Sequence, residues 1–501
     1  SVREASAVAA TLAVALWLRL ALAARGWPAL NSDQATFGLM VDDILHGRAF
    51  PIFLYGQHYL GALQAYLDAP LFALLGPTSF TLHLALTIQT LLAFLVLYVF
   101  TRSVFSPPIA WATLALLALG PTQSLVYELY PGTHTQDILL YGALLLWLTM
   151  LRMRQPTGAK AHKMKVVLLF GVGVAAGLGF WGTFLITPFI AVTLFALAAY
   201  GLMRLRPQLQ AGATTLRRSL WGATHEAAAL VVGAGLTLTP FLIASFASHW
   251  VVIHEVFSAA DGGVKPQGTP SLLDHLIAYW RQGLGVFFVG LPSLFYRSVV
   301  CPSCVPWPAP SANATPQQAW QAALVSAPIS LIVIGFWVIA AAPLARDIFA
   351  ALRSTLQRLS ASPVLFEGSS HRVTPVLVGA TPAHRNLTDR DAQTSSQPFD
   401  PRWWGRWMLV VASALTMLIY LTSGAAYLFP GTSSRYLLGL YLCWPLLVAP
   451  LWRGTTTLAL SLWRWATASN PRGAVLTSWS TTLRALAPFS MRATPRSNML
   501  D

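Results

Sequence analysis

Three stretches of the chain bring acids, imidazoles, amides and aromatic hydroxyls together at spacings that suit chemistry at a membrane border. The first runs Asn31-Ser-Asp33-Gln34-Ala-Thr-Phe37-Gly-Leu-Met40-Val41-Asp42-Asp43-Ile44-Leu45-His46-Gly47. Its apolar residues Phe37, Met40, Val41, Ile44 and Leu45 follow the i, i+3, i+4, i+7, i+8 pattern of one helix face, and Gly47 supplies a stop. The pattern predicts an amphipathic helix starting at Asp33, too short to span and lying on the membrane surface. An aspartate at that position either caps the helix, accepting from an orphan backbone N–H, or presents a carboxylate for proton transfer. Asp42 and Asp43 read as the solvated face of the same helix.

The second stretch, Phe53 to Pro70, sets Tyr55, Gln57, His58, Tyr59, Gln64 and Asp68 beside Gly56 and Gly61, just before apolar residues resume. That mixture suits a site for a polar headgroup, and it is also the composition of an ordinary aromatic interface belt. The third holds Glu128, Tyr130, Gly132, His134 and Asp137. His134 and Asp137, three residues apart, fit an acceptor-binding or metal-ligating pair, and Asp137 alone fits the start of a helix. His254 and Glu255 open a further polar segment. Arg19, within an apolar run, is costly to bury and is expected to snorkel toward the surface. Cys301-Pro-Ser-Cys304 reads as a local staple or two free thiols, since no second Cys/His pair stands at zinc spacing.

The elements that must position these residues are membrane helices. Of 501 residues 55% are hydrophobic and only 10% charged, against roughly 25% charged in soluble domains. Windows of roughly 20 apolar residues mark about ten spans: Val8–Ala24, Leu82–Thr101, Ile109–Val126, Ile138–Leu151, Val166–Thr183, Pro188–Met203, Ala227–Ala247, Leu324–Leu344, Met408–Phe429 and Leu437–Leu451. The fold class is therefore all-α and polytopic, with amphipathic surface helices in the first outer loop and Gly61–Gly76 as a half-span. The first run is too long, and too well followed by others, to be a cleaved signal peptide; a chain opening on Ser1 reads as trimmed.

Charge orients the spans. With the N-terminus inside, Arg152, Arg154, Lys160, Lys163 and Lys165 share one cytoplasmic loop, and Arg204, Arg206, Arg217 and Arg218 the next. The net charge of +15 is thus a topology signal and not one for nucleic acid. Asp33, Asp42, Asp43, Asp68, Glu128, Asp137, Glu255, Asp261 and Asp274 then all fall outside, where surface chemistry gives them a purpose. Residues 1–205 form one membrane region with its outer loop at 25–81, and 206–345 add helices with a long outer loop at 248–322. A polar, partly disordered cytoplasmic loop (346–406), the last two spans (407–452) and a basic cytoplasmic tail (453–501) complete the chain.

Ser32-Asp33-Gln-Ala-Thr-Phe-Gly-Leu-Met, followed by Tyr55-Gly-Gln-His-Tyr-Leu-Gly-Ala-Leu-Gln64-Ala-Tyr, resembles the signature of bacterial C-type membrane glycosyltransferases. These are relatives of the protein O-mannosyltransferases and of the lipid A aminoarabinose transferases (glycosyltransferase family 39-like). The likeness runs from about Ala10 to Leu205, and Ser434-Arg435-Tyr436-Leu437 also fits. It implies an enzyme of the plasma membrane that moves a sugar from a polyprenyl-phosphate donor to a glycan, lipid or protein acceptor outside the cytoplasm. By the resemblance Asp33 is the general base. Arg435 is the cation for the donor phosphate, with Tyr55, Gln57, His58 and Tyr59 beside the lipid. Gln34, Gln64, Asp42, His134 and Asp137 then hold the acceptor or support the site.

The family often carries Asp-Glu where this chain has Asp33-Gln34, and often a glutamate at the position of Gln64. Glutamine keeps the hydrogen bonding and loses the charge. The chain is then independent of metal, altered in specificity, or a degenerate non-catalytic relative; a divalent cation is the one cofactor left open. The rival outside the enzymes is a transporter or lipid-linked sugar flippase, which places ionisable groups on broken helices near the bilayer midplane in corresponding repeats. No such repeat is evident in this sequence.

Overall fold

The computed structural model describes residues 2–29, 32–156, 159–210, 213–251, 276, 280, 283–295, 300–301, 309–310, 316–360, 400–422 and 433–469. Helices dominate: α1 (Val2–Ala23), α2 (Ser32–Leu45), α3 (Leu63–Leu75), α4 (Ser79–Val104), α5 (Pro107–Leu119), α6 (Thr122–Leu129), α7 (Thr135–Arg154), α8 (Ala159–Gly182), α9 (Thr187–Gln210), α10 (Ala213–Ala247), α11 (Pro316–Ser360), α12 (Pro401–Thr422) and α13 (Pro445–Ser469). Among the described residues eight helices are long and apolar enough to cross a membrane, and two bent pairs bring the number to ten if each is one span. Every span read from the sequence has its counterpart in this set.

The two bent pairs depart from the continuous spans expected. The stretch read as Ile109–Val126 is α5 and α6 meeting at 72°. Gly120 takes φ 59° and Pro121, with no N–H to donate, cannot continue α5. The last span is a 3-10 helix, Ser433–Cys443, joined to α13 at 47° where Pro445 intervenes. Both α11, through Ser360, and α13, through Ser469, run on into stretches read as polar loop and tail. The polar segment 361–399, the end of the tail, His254, Glu255 and Cys304 lie outside the described residues.

The first bend corrects the reading of Arg19. It turns Glu128 of α6 into the bundle, and Arg19 is fully buried against it instead of snorkelling. Arg19 Nε and Nη2 donate to Glu128 Oε2 at 2.8 and 2.5 Å. Nη1 and Nη2 also reach the Ala118 and Leu117 carbonyls, which the end of α5 leaves unpaired, at 2.8 and 3.2 Å. Of the acids read as lying outside, Asp68 on α3 and Asp137 on α7 are buried as well.

The main core gathers α4, α7, α9, α12 and the 3-10 helix around Phe94, Phe100, Phe189, Tyr420, Tyr441 and Trp444. On the periphery α10 and α11 expose Leu236, Ile243, Phe246, Leu331, Ile332 and Ile339, an outward apolar face whose natural solvent is lipid. Helices α8 and α10 touch backbone to backbone. A Cβ on Gly173 would stand 2.1 Å from the Leu230 carbonyl oxygen, and one on Gly233 would stand 2.4 Å from that of Phe170. Close approach through small residues is how membrane helices gain contact where lipid removes the hydrophobic drive.

A second, smaller core caps one end. Phe37, Met40 and Val41 of α2 pack on Ala62, Ala65, Ala69 and Phe72 around α3. Between the two helices the Tyr55 stretch is a short antiparallel hairpin, Phe53–Leu54 with Gln57–Gly61 (β1 and β2), turning at Tyr55-Gly56. Its base is pinned to α8 by Trp181 Nε1, which donates to the Ile52 carbonyl at 2.9 Å.

Candidate functional site

Helix α2 begins at Ser32, so Asp33 is its second residue and not its cap, one turn before Phe37 on the same face. The carboxylate is exposed and no hydrogen bond or ion pair engages it among the described residues. An acid in the first turn of a helix is favoured by the dipole, so the position is stable without a partner. Phe37 below it is fully buried, edge-on to His134 at 6.0 Å between ring centres. A Cβ on Gly132 would stand 2.8 Å from the Phe37 ring, and Gly132 has φ 80°. Glycine alone fits that turn under that ring.

Gly132 and His134 line a small recess open to solvent, with Leu60 of the hairpin, Thr183 between α8 and α9, and Arg435 and Tyr436 of the 3-10 helix on its walls. These residues come from alternate connections along the chain, so all lie at one end of the bundle. Arg435 is half-buried, its guanidinium 5.4 Å over the Tyr436 ring. No carboxylate pairs with it among the described residues. A guanidinium in this state is suited to a phosphate or a carboxylate brought by a ligand.

His134 sits just before α7 in the left-handed region, φ 54°, and is 1% exposed. Its Nδ1 lies 2.9 Å from Asp137 Oδ2, while Nε2 and Asp137 Oδ1 are buried with no partner. Behind this pair, Gln64 Oε1 accepts from the Gly132 N–H at 3.4 Å, tying α3 to the turn. Asp68, on α3 and outside the spans, is fully buried and accepts from Gln89 Nε2 at 3.1 Å. Burial first, and then the charge of Asp137, push its carboxyl well above the usual carboxylate range.

The other candidates are placed elsewhere. Asp42 and Asp43 accept from Arg48, with Arg48 Nε at 2.8 Å from Asp43, and Tyr55 donates to Asp43 Oδ2 at 2.9 Å. Arg48 and then Tyr55 hold the Asp43 carboxyl below its usual range. This network closes the far end of α2, about 14 Å along the helix from Asp33, so Asp42 and Tyr55 are not brought to the recess. Gln34 is buried under α2 and Gln57 is half-exposed on the hairpin. For His58 and Tyr59 the strand is described, and the side chains lie outside the described residues. Among the described residues no group of three His, Cys, Asp or Glu side chains is arranged to hold a metal ion, so no step is derived through a divalent cation. Sequence reasoning missed Leu60 and Thr183 as walls of the site, and placed Gly132 only as part of the polar stretch that holds His134. Only Gly132, in a Pro-Gly turn, carried a signal.

Fold and site define a polytopic α-helical membrane protein with a cation-bearing recess at one end of its bundle. Among solved structures the chain is similar to ArnT from Cupriavidus metallidurans bound to undecaprenyl phosphate, at 14% identity and a TM-score of 0.37 over 89% of this chain and 77% of that one. The apo state of the same protein gives 14% identity and a TM-score of 0.34 over 88% and 77%. No protein-family model matches the sequence, and no curated protein sequence matches it.

Proposed function

We propose that this protein is a membrane glycosyltransferase that moves a sugar from a polyprenyl-phosphate donor to an acceptor hydroxyl on the outer side of the plasma membrane. The observation that carries the reading is a convergence. Asp33, an unengaged carboxylate, stands one turn above Phe37, and Phe37 rests on the two residues, Gly132 and His134, that share a recess with the unpaired Arg435. Glycosyl transfer from a lipid phosphate needs a base for the acceptor hydroxyl and a cation for the phosphate; Arg435 lines the recess, and Asp33 is linked to it through Phe37. Asp33 takes the acceptor proton as the oxygen attacks the anomeric carbon, and Arg435 holds the departing phosphate. The side chains of Gln34 and Gln64 supply structure: one lies beneath α2, the other ties α3 to the Gly132 turn.

The test is transfer from radiolabelled polyprenyl-phosphate sugars to membrane extract, comparing the native chain with Asp33→Asn. The reading expects label in an acceptor with the native chain and a loss of at least about 10²-fold with the variant, both eluting as folded protein. Undiminished transfer by Asp33→Asn removes the role of that residue. No transfer from any donor by the native chain removes the enzyme.

A further inference from the structure

The buried pair beside Arg435 has its own chemistry. His134 is held by Asp137 through Nδ1, which fixes the ring and leaves Nε2 as the working atom. That atom is buried and unpartnered in a residue that lines the recess with Arg435. Other buried polar atoms also lack a partner, both nitrogens of His83 among them; His134 differs in lining a recess together with a guanidinium, where a ligand could meet its Nε2. The charged and titratable groups packed about the pair are Asp137 on its own helix, Asp68 behind Asp137 on α3, and Arg435 and Tyr436 on the walls of the recess. An imidazole held through Nδ1 by a carboxylate, in a recess shared with a guanidinium, can when charged offer Nε2–H to an anion brought there.

Resting on the glycosyltransferase reading, we infer that His134 is the acid for the leaving group, donating from Nε2 to the phosphate oxygen that departs from the sugar. The acceptor oxygen bonds to the anomeric carbon while the bond from that carbon to the phosphate oxygen breaks, its electron pair passing to the phosphate. Asp33 takes the proton of the acceptor hydroxyl, and His134 gives its proton to the phosphate. The product is a singly protonated polyprenyl phosphate, and both side chains exchange protons with water to reset. Asp137 is a positioning residue: it holds the ring through Nδ1.

The inference is tested first by binding, with the full chain in lipid nanodiscs. The probe is methyl farnesyl phosphate, a diester whose single negative charge is constant across the range used. The native chain binds about 10-fold more weakly at about pH 8 than at about pH 5.5, across the range in which imidazoles discharge. His134→Asn, which suits a left-handed backbone, binds weakly at both. Arg435→Gln binds weakly and keeps the pH dependence. No binding by the native chain, or binding by His134→Asn that matches it at both pH values, overturns the inference. In transfer, His134→Asn lowers kcat by about 10²-fold. A phosphorothioate donor, whose leaving group is less basic, restores part of that loss; an equal defect with both donors overturns the role as acid. Binding that needs His134 without transfer from any donor removes the glycosyltransferase reading and leaves the anion site standing.

Discussion

Arg19–Glu128 and His134–Asp137 are two buried polar pairs at the same end of the bundle, and they differ in how completely their atoms are used. In the first, every nitrogen of the guanidinium donates, and both carboxylate oxygens accept, Oε2 from Arg19 and Oε1 from Ser124. In the second, one nitrogen of the ring and one oxygen of the carboxylate have no partner. Saturation of this kind marks scaffold, because nothing is left to offer a ligand. An unfilled pair beside a recess leaves atoms that a ligand could satisfy. The exposed Asp42–Asp43–Arg48 network gives a third point on the scale, saturated but in water.

The largest test of this contrast is Arg19→Met. It strands Glu128 in the core and costs about 3–5 kcal/mol, read as a fall in the thermal midpoint in detergent. Arg19→Met with Glu128→Leu recovers most of the loss, since the charge is then removed with its partner. A single variant as stable as the native chain would mean that the pair is not the buried lock described. Next comes Gly132→Val, which forces a branched residue into φ 80° beneath the Phe37 ring and costs about 1–3 kcal/mol. Phosphate binding falls with it, because His134 follows two residues later; stability and binding both unchanged would break the link between α2 and the recess. The smallest effect belongs to Asp42→Asn with Asp43→Asn. Exposed pairs contribute about 0–1 kcal/mol, so stability and transfer stay near native values. A loss of transfer here would move the site to the far end of α2.

Much of the architecture was legible in the chain because lipid imposes a simple rule: backbone polar groups must be satisfied within a segment, so spans read as long apolar helices. The α2 helix was legible for a related reason, since a one-sided apolar stripe has few other uses. The hairpin at Tyr55 was not, because its strands are very short and its aromatic residues also suit an interface belt. The break at Gly120-Pro121 was visible as letters, yet its angle, and the turning of Glu128 onto Arg19, depend on how α5 and α6 pack on α1 and α4. Arg19 therefore read as a snorkelling residue and is a buried one.

For the site, composition and spacing by themselves singled out candidates, Asp33 at the head of a surface helix and His134 and Asp137 three apart, while the family resemblance alone proposed the roles of Asp33 as base and of Arg435 as phosphate ligand. Spacing also determined that these residues lie at connections and not in mid-span. Only the tertiary structure decided that Arg435, Gly132 and His134 share one recess while Tyr55 and Asp42 are drawn into the Arg48 network. The physical reason is that apolar periodicity fixes which face of a helix is buried, whereas partnership between polar groups far apart in the chain depends on bends, close backbone approach and the angles at which the helices meet.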